Sequence, residues 1–495
     1  MSAGWLRATA LLTMGLFSAL ALGKDKQPTA IVIGGGMSGL TAAYELQENG
    51  WQVTLLESKP SLGGRSGLAT TEWIGSSRLQ PTLHHYLDEF KLKTVDAPEY
   101  VRSTGYLIAG RYFSEEDLLK ASPDVAEGLK RFDKSLDELA ASVSDPLKPL
   151  ASSTLRTLDS ISVKRWLDKL ALPPVARALV DQRIRSRYDE PSRLSLLYLA
   201  QQARVYRGLP DADMRASRLP GGSTVLAQAF ASKLKMVKTD ARVSAIVQEK
   251  DKATVKVGPT GYSADYVVLT VPLAALDKIA MTPALSPLQQ RALKDINYGW
   301  RDQMLLKFKK PVWGKTRLSG EVYSDQGLGM LWVEPALKGG ANLLINLSGD
   351  NARLMQAFGD KQFIDQVLIR FDRIYPGARE FFTGYELRRY GKDPQVGGSY
   401  LAYGPGEISL YWRMWEKPLG RVIFAGEHTD ALYPGTLEGA LRSGERAAEQ
   451  AQKLVAGKTI EPAEEQVASG GPAPVVNQAK AGETAKKGFF SRWFN

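Results

Sequence analysis

The sequence predicts an α/β protein in which a parallel-sheet domain, built from separated stretches of chain, is joined to an α+β region with a largely helical part. Three observations carry this. The β-branched run from Thr29 to Ile33 passes directly into GGGMSGL and a helical pattern through Thr41, Ala42, Ala43, Tyr44 and Leu46; WQVTLLE then reads as a second strand ending at Glu57. From about Glu99 to Arg215 the pattern turns helical and charged, broken by SDPLKP and ALPP. Far along the chain, RVIFAGEHTD followed by TLEGALRSGERAAEQAQKLV repeats the strand-to-helix signal, so a C-terminal helix is expected to close the first domain.

A chain of 495 residues is too long for one ordinary core and is expected to hold two domains plus terminal appendages. The expected division is 24–98, 215–285 and 415–456 for the parallel-sheet domain, and 99–214 with 286–414 for the second. At 44% hydrophobic and 24% charged, the body has the composition of a globular protein. Arg7 precedes an uncharged run from Ala8 to Gly23 that ends in Ala19-Leu20-Ala21, so residues 1–23 read as a signal peptide for export to the periplasm or outside, with an uncleaved anchor as the alternative.

The absence of cysteine excludes disulfides, thiolate metal sites and a cysteinyl cofactor link. His84, His85 and His428 lack metal-ligand spacing, so no metal is expected. A net charge of +11 without a recognition motif points away from nucleic acid. Residues 457–495 read as a disordered tail ending in KKGFFSRWFN, whose aromatic and basic residues suit peripheral membrane contact.

Gly34, Gly36 and Gly39 form G-x-G-x-x-G between a strand and a helix. Gly34 permits the tight turn, Gly36 lets backbone amides approach a pyrophosphate, and Gly39 lets helix and strand pack closely. The phosphates would rest on the helix N-terminus beside Ser38, where free N–H groups and the dipole favour negative charge. Glu57 is placed to accept hydrogen bonds from an adenosine ribose. NAD and FAD share this unit, and these residues alone do not choose between them.

Just past the second strand, Leu62-Gly63-Gly64-Arg65 resembles the GGR motif of the flavin-containing amine oxidases, the monoamine, polyamine and L-amino-acid oxidase type. LPGGSTVLAQAFASKL, ARVSAIV and DYVVLTVPL are similar to later family segments in the same order, and RVIFAGEHTDALYPGTLEGALRSGERAA resembles the family most closely. The resemblance implies a discontinuous Rossmann-like FAD-binding domain. Within it, Val243 would contact adenosine through its backbone, Gly426 and Glu427 would lie by the pyrophosphate and ribitol, and the helix opening at Thr436 and Leu437 would face the flavin ring. It further implies oxidation of an amine to an imine by hydride transfer to FAD, with O2 or another electron acceptor.

The family's aromatic cage is expected at Tyr400, within GGSYLAYGPGE. Ser399 stands where monoamine oxidases carry the flavin-linking cysteine, so FAD is expected to be noncovalent. The second cage position matches Thr436 in place of tyrosine, with Tyr433 near enough to substitute. Counting back from Lys310-Pro311-Val312-Trp313, the usual water-holding lysine is replaced by Gln303, which can hold a water but brings no charge. GSSRLQP resembles the L-amino-acid oxidase segment whose arginine grips the substrate carboxylate, which makes Arg78 a candidate anchor for an amino-acid substrate. Arg183, Arg185 and Arg187 raise the same question, although an arginine-rich helix face is usually solvated. An L-amino-acid oxidase or dehydrogenase, a flavin-dependent desaturase or porphyrinogen-type oxidase, and a nonenzymatic flavin module remain as alternatives.

Overall fold

Strand Thr29–Ile33 has Ala30, Ile31, Val32 and Ile33 all buried, the mark of a strand covered on both faces. It lies at the centre of a five-stranded parallel sheet. Tyr266–Leu269 and then Val422–Phe424 flank it on one side, and Gln52–Leu56 and then Val237–Lys238 on the other. Ile31 stands opposite Val267 and Thr54. The sheet therefore draws its strands from near residue 30, from the middle of the chain and from near residue 420. This computed structural model describes residues 27–66, 72–96, 103–207, 214–313, 318, 320–325, 327–334 and 340–460. The export segment read at 1–23 and the tail beyond 460 lie outside the described residues.

Helix Met37–Glu48 leaves the central strand and packs against helix Leu437–Val455. The contact is close because both helices are small-sided there. Ser38 Oγ lies 2.9 Å from Ser443 Oγ, and a Cβ added at Gly444 would sit 2.6 Å from the Ser38 carbonyl oxygen.

A second, seven-stranded mixed sheet runs Phe382–Arg389, Arg301–Phe308, Ala341–Ser348, Met330–Glu334, Glu321–Ser324, Thr104–Ile108, Arg111–Ser114. Its last two strands correct the expectation that the chain turns helical from about residue 99. Ala109 and Gly110 both have positive φ, 49° and 79°, which suits a two-residue hairpin turn. The helical part begins only at Glu115–Ala121 and continues through Pro123–Ala141, Pro174–Arg187 and Leu196–Arg207. Pro123–Ala141 starts on a proline and buries Val125, Leu129, Phe132 and Leu136, the spacing of one helix face. No helix among the described residues is long and apolar enough to cross a membrane.

Candidate active site

The three glycines of the first turn do separate work. Gly34 has φ +107°, which strains any other residue. A Cβ at Gly39 would lie 1.9 Å from the Gly34 carbonyl oxygen and 2.8 Å from Thr270 Oγ1, so the helix can sit against the strand ends only without a side chain there. Gly36 forms a bridge with Gly63, and a Cβ at Gly64 would lie 3.0 Å from Gly36 Cα. The GGR segment thus crosses the glycine turn backbone to backbone. Glu57 closes the strand that follows, accepting from the Gly35 and Lys59 amides at 2.6 and 2.8 Å. Val243 is buried and shares the same cavity wall.

Glu427 joins this cradle to the rest of the site. Its Oε1 pairs with Arg65 Nη1 at 2.8 Å, and its Oε2 accepts from the amides of Gly435 at 2.8 Å and Leu401 at 3.3 Å. Arg65 also donates to the Ser399 carbonyl at 2.9 Å. Gly426, at φ +131°, donates its amide to Ser443 Oγ at 3.0 Å. Burial pulls the neighbouring His428 imidazole down to about 4, so it is neutral at physiological pH.

From the cradle a continuous cavity of about 540 Å³ extends to Tyr400, Tyr433, Gln303 and the face of the seven-stranded sheet. Tyr400 is buried beside the Arg301 guanidinium, with its phenol pushed up chiefly by burial. Gly299 and Gly435 make room for its ring, since a Cβ on either would come within 2.3 and 3.1 Å of Tyr400 atoms. Ser399 Oγ accepts from the Arg301 amide at 2.8 Å and donates to the Arg301 carbonyl at 2.9 Å, which ties the tyrosine-bearing strand to the sheet. Gln303 lies on that sheet directly opposite Asn346. Asn346 is 1% exposed, lines the cavity and leaves its Oδ1 unpartnered.

Thr436 lines the cavity and also acts as a helix cap. Its Oγ1 accepts from the Gly439 amide at 3.0 Å and donates to the Tyr433 carbonyl at 2.7 Å, fixing the start of helix Leu437–Val455 at the cavity, which Leu437 also lines. Tyr433 supplies the aromatic wall instead, edge-on to Tyr206 at 6.1 Å.

The carboxylate anchor expected at Arg78 does not reach the cavity. Its neighbour Leu79 is 1% exposed and turns inward, so Arg78 faces solvent on the same turn. The solvated helix face expected for the three arginines of Pro174–Arg187 is likewise absent. Arg183 is 1% exposed, stacked on the Tyr106 ring and 3.6 Å from Glu115; burial pulls its guanidinium down to about 10 and pushes Glu115 up to about 7. Arg185 pairs with Glu190 at 2.7 Å. Arg187, one helical turn beyond Arg183, lies over the Tyr206 ring at 4.6 Å and lines the cavity.

Sequence reasoning missed Arg301, Tyr206 and Asn346. Arg301 was accessible in principle, because it stands two residues before Gln303 on one strand and shares its face. Among the described residues no group of three or more potential ligands is placed to hold a metal.

A glycine-lined strand-to-helix turn that opens directly onto an aromatic chamber fits an enzyme that oxidises a small molecule against a bound redox cofactor. The profile of the family described as flavin containing amine oxidoreductase matches residues 37–452, and the chain belongs to that family. It is an oxidoreductase of the kind that acts on CH–NH2 or CH–NH groups, with a flavin as cofactor.

The probable flavin-containing monoamine oxidase A of Dictyostelium discoideum is 26% identical over 448 residues, covering 85% of this chain and 96% of its own. The L-amino-acid oxidase of Mus musculus is 27% identical over 464 residues, covering 87% and 71%. Among solved structures, cyclohexylamine oxidase from Brevibacterium oxydans IH-35A superposes with a TM-score of 0.74 at 21% identity, covering 87% of this chain and all of its own. Putrescine oxidase bound to putrescine gives 0.73 at 21%, covering 87% and 99%. At these identities the structures establish the shared fold.

Proposed function

We propose that the chain binds FAD noncovalently and oxidises a primary or secondary amine to an imine, which water then hydrolyses. The observation that carries this is the unbroken run of the cavity from the glycine crossing, through the Arg65–Glu427 pair, to Tyr400 and Gln303. When bound, the flavin supplies the two-electron acceptor for hydride from the substrate carbon.

The residues of the chain fit the group. The backbone crossing at Gly36 and Gly64 leaves no side chain in the way of a pyrophosphate, Glu57 suits a ribose diol, and the N-terminus of Leu437–Val455 favours the negative charge of a reduced ring. Tyr400 orients the substrate at small entropy cost. Ser399 is held in hydrogen bonds to the Arg301 backbone and offers no nucleophile for a covalent link. Acid precipitation is therefore expected to release all the yellow colour as free FAD; colour retained in the washed pellet would contradict noncovalent binding.

Gln303 can hold a water by hydrogen bonds but brings no charge to assist oxygen reduction. Gln303→Lys is accordingly expected to speed reoxidation of the reduced enzyme by O2 while changing the reductive half-reaction less. Stopped-flow traces with no faster reoxidation would remove Gln303 from that role.

A further inference from the structure

Two guanidinium groups stand at the ring faces of the substrate chamber. Arg301 Cζ lies 4.9 Å from the centroid of Tyr400, and Arg187 Cζ 4.6 Å from that of Tyr206. The two are close neighbours, since Arg301 Nη2 donates to the carbonyl of Ser186, the residue before Arg187. Both line the cavity, and no carboxylate among the described residues forms an ion pair with either. Arg301 Nε is buried without a partner.

The carboxylates that share the cavity are engaged elsewhere. Glu57 accepts from the Gly35 and Lys59 amides, Glu427 holds Arg65, Glu438 accepts from the Thr82 and Leu83 amides, and Glu321 accepts from the Tyr323 hydroxyl at 2.8 Å. Among the described residues no carboxylate forms an ion pair with either cation, and the one that acts on Arg187 from a distance is Glu321.

We propose that Arg187 and Arg301 form an anion-binding site for the substrate, so that this enzyme takes an amine that carries a carboxylate. The inference rests on the amine-oxidation reading and names its substrate class. Its physical basis is twofold. An unpaired guanidinium in a partly buried chamber costs desolvation that a carboxylate in fork geometry offsets with two charge-assisted hydrogen bonds. One face of each of Tyr400 and Tyr206 already carries a guanidinium, and this positive charge beside the rings works against the second cationic group of a diamine or polyamine. The anchor lies on the helix end and the sheet, away from the exposed Arg78.

The test uses the purified flavin-loaded enzyme and four six-carbon probes: hexanoate, hexylamine, 6-aminohexanoate and norleucine. Hexanoate is expected to bind, read by calorimetry and by a shift of the flavin absorbance, with hexylamine at least tenfold weaker. At least one of norleucine and 6-aminohexanoate is expected to bleach the flavin anaerobically faster than hexylamine; which one reports the spacing between amine and carboxylate. Arg301→Gln and Arg187→Gln should each weaken hexanoate roughly 10- to 100-fold, the range of a lost charge-assisted hydrogen bond.

Arg301→Lys, which keeps the charge and loses the fork, should fall between and serves if the glutamine variant does not fold. Equal or tighter binding of hexylamine, or hexanoate binding indifferent to both arginines, overturns the proposal. If hexanoate binding depends on the arginines but none of the amines bleaches the flavin, the anion site stands and the amine-oxidation reading fails.

Discussion

Glu427→Ala is expected to lower stability by about 3–5 kcal/mol, the usual cost of removing one partner from a buried ion pair. The carboxylate is buried and holds Arg65 at 2.8 Å, together with the amides of Gly435 and Leu401. Its loss strands a guanidinium and two amides at once. Because these groups come from the GGR segment, the Tyr400 strand and the loop before the last helix, the variant should also loosen the contact between cofactor cradle and chamber. Arg65→Met alone should cost less, since the remaining carboxylate keeps its two amide donors. The double variant should fall short of the sum of the singles, as expected for two groups in one network. Thermal denaturation of all three variants checks this. A Glu427→Ala protein that melts with the parent and keeps its flavin would show that the pair carries little of the site.

The glycine turn was legible in the sequence because its geometry is local. A glycine turn between strand and helix is a statement about backbone space at Gly34, Gly36 and Gly39, and spacing records it directly. The return of a strand-to-helix signal near residue 420 revealed the discontinuous sheet for the same reason.

The substrate half was much less legible. Whether Arg78 or Leu79 turns inward depends on how one short turn sits on the packed interior, and no pattern of four residues encodes that. Arg187 meets the cavity because Pro174–Arg187 packs its Arg183 side toward the seven-stranded sheet, and Arg301 does so through strand register. Asn346 required knowing which strand pairs with Arg301–Phe308. The hairpin Thr104–Ser114 was hidden by the charged, helical composition that follows it. Thr436 lines the cavity at the opening of the last described helix, where the resemblance puts it, and its hydroxyl caps that helix.

Gly39→Ala is expected to purify largely without flavin and with a lowered melting point. The new methyl group would start 1.9 Å from the Gly34 carbonyl oxygen, a backbone atom, with Thr270 Oγ1 at 2.8 Å on the same side. Helix Met37–Glu48 cannot retreat freely, because its other side rests on Leu437–Val455 through the Ser38–Ser443 contact and the close approach at Gly444. Relief must therefore come from shifting the turn that carries Gly34 and Gly36, and that turn lines the cavity proposed to hold the flavin cofactor. Overpacking of this kind costs about 1–3 kcal/mol or more in stability, and the displacement of the amides falls on cofactor affinity as well. Gly384→Ala is the matched control. It lies on an edge strand with nothing within 4 Å of where the new methyl group would sit and no positive φ, so it should change stability by no more than about 0.5 kcal/mol. The flavin-to-protein ratio of each purified variant, the melting point and the dissociation constant for FAD added to the apoprotein decide the matter. A Gly39→Ala enzyme that binds FAD and melts as the parent does would mean that helix and strand can separate by an atom's width without cost, against the close packing of the glycine turn.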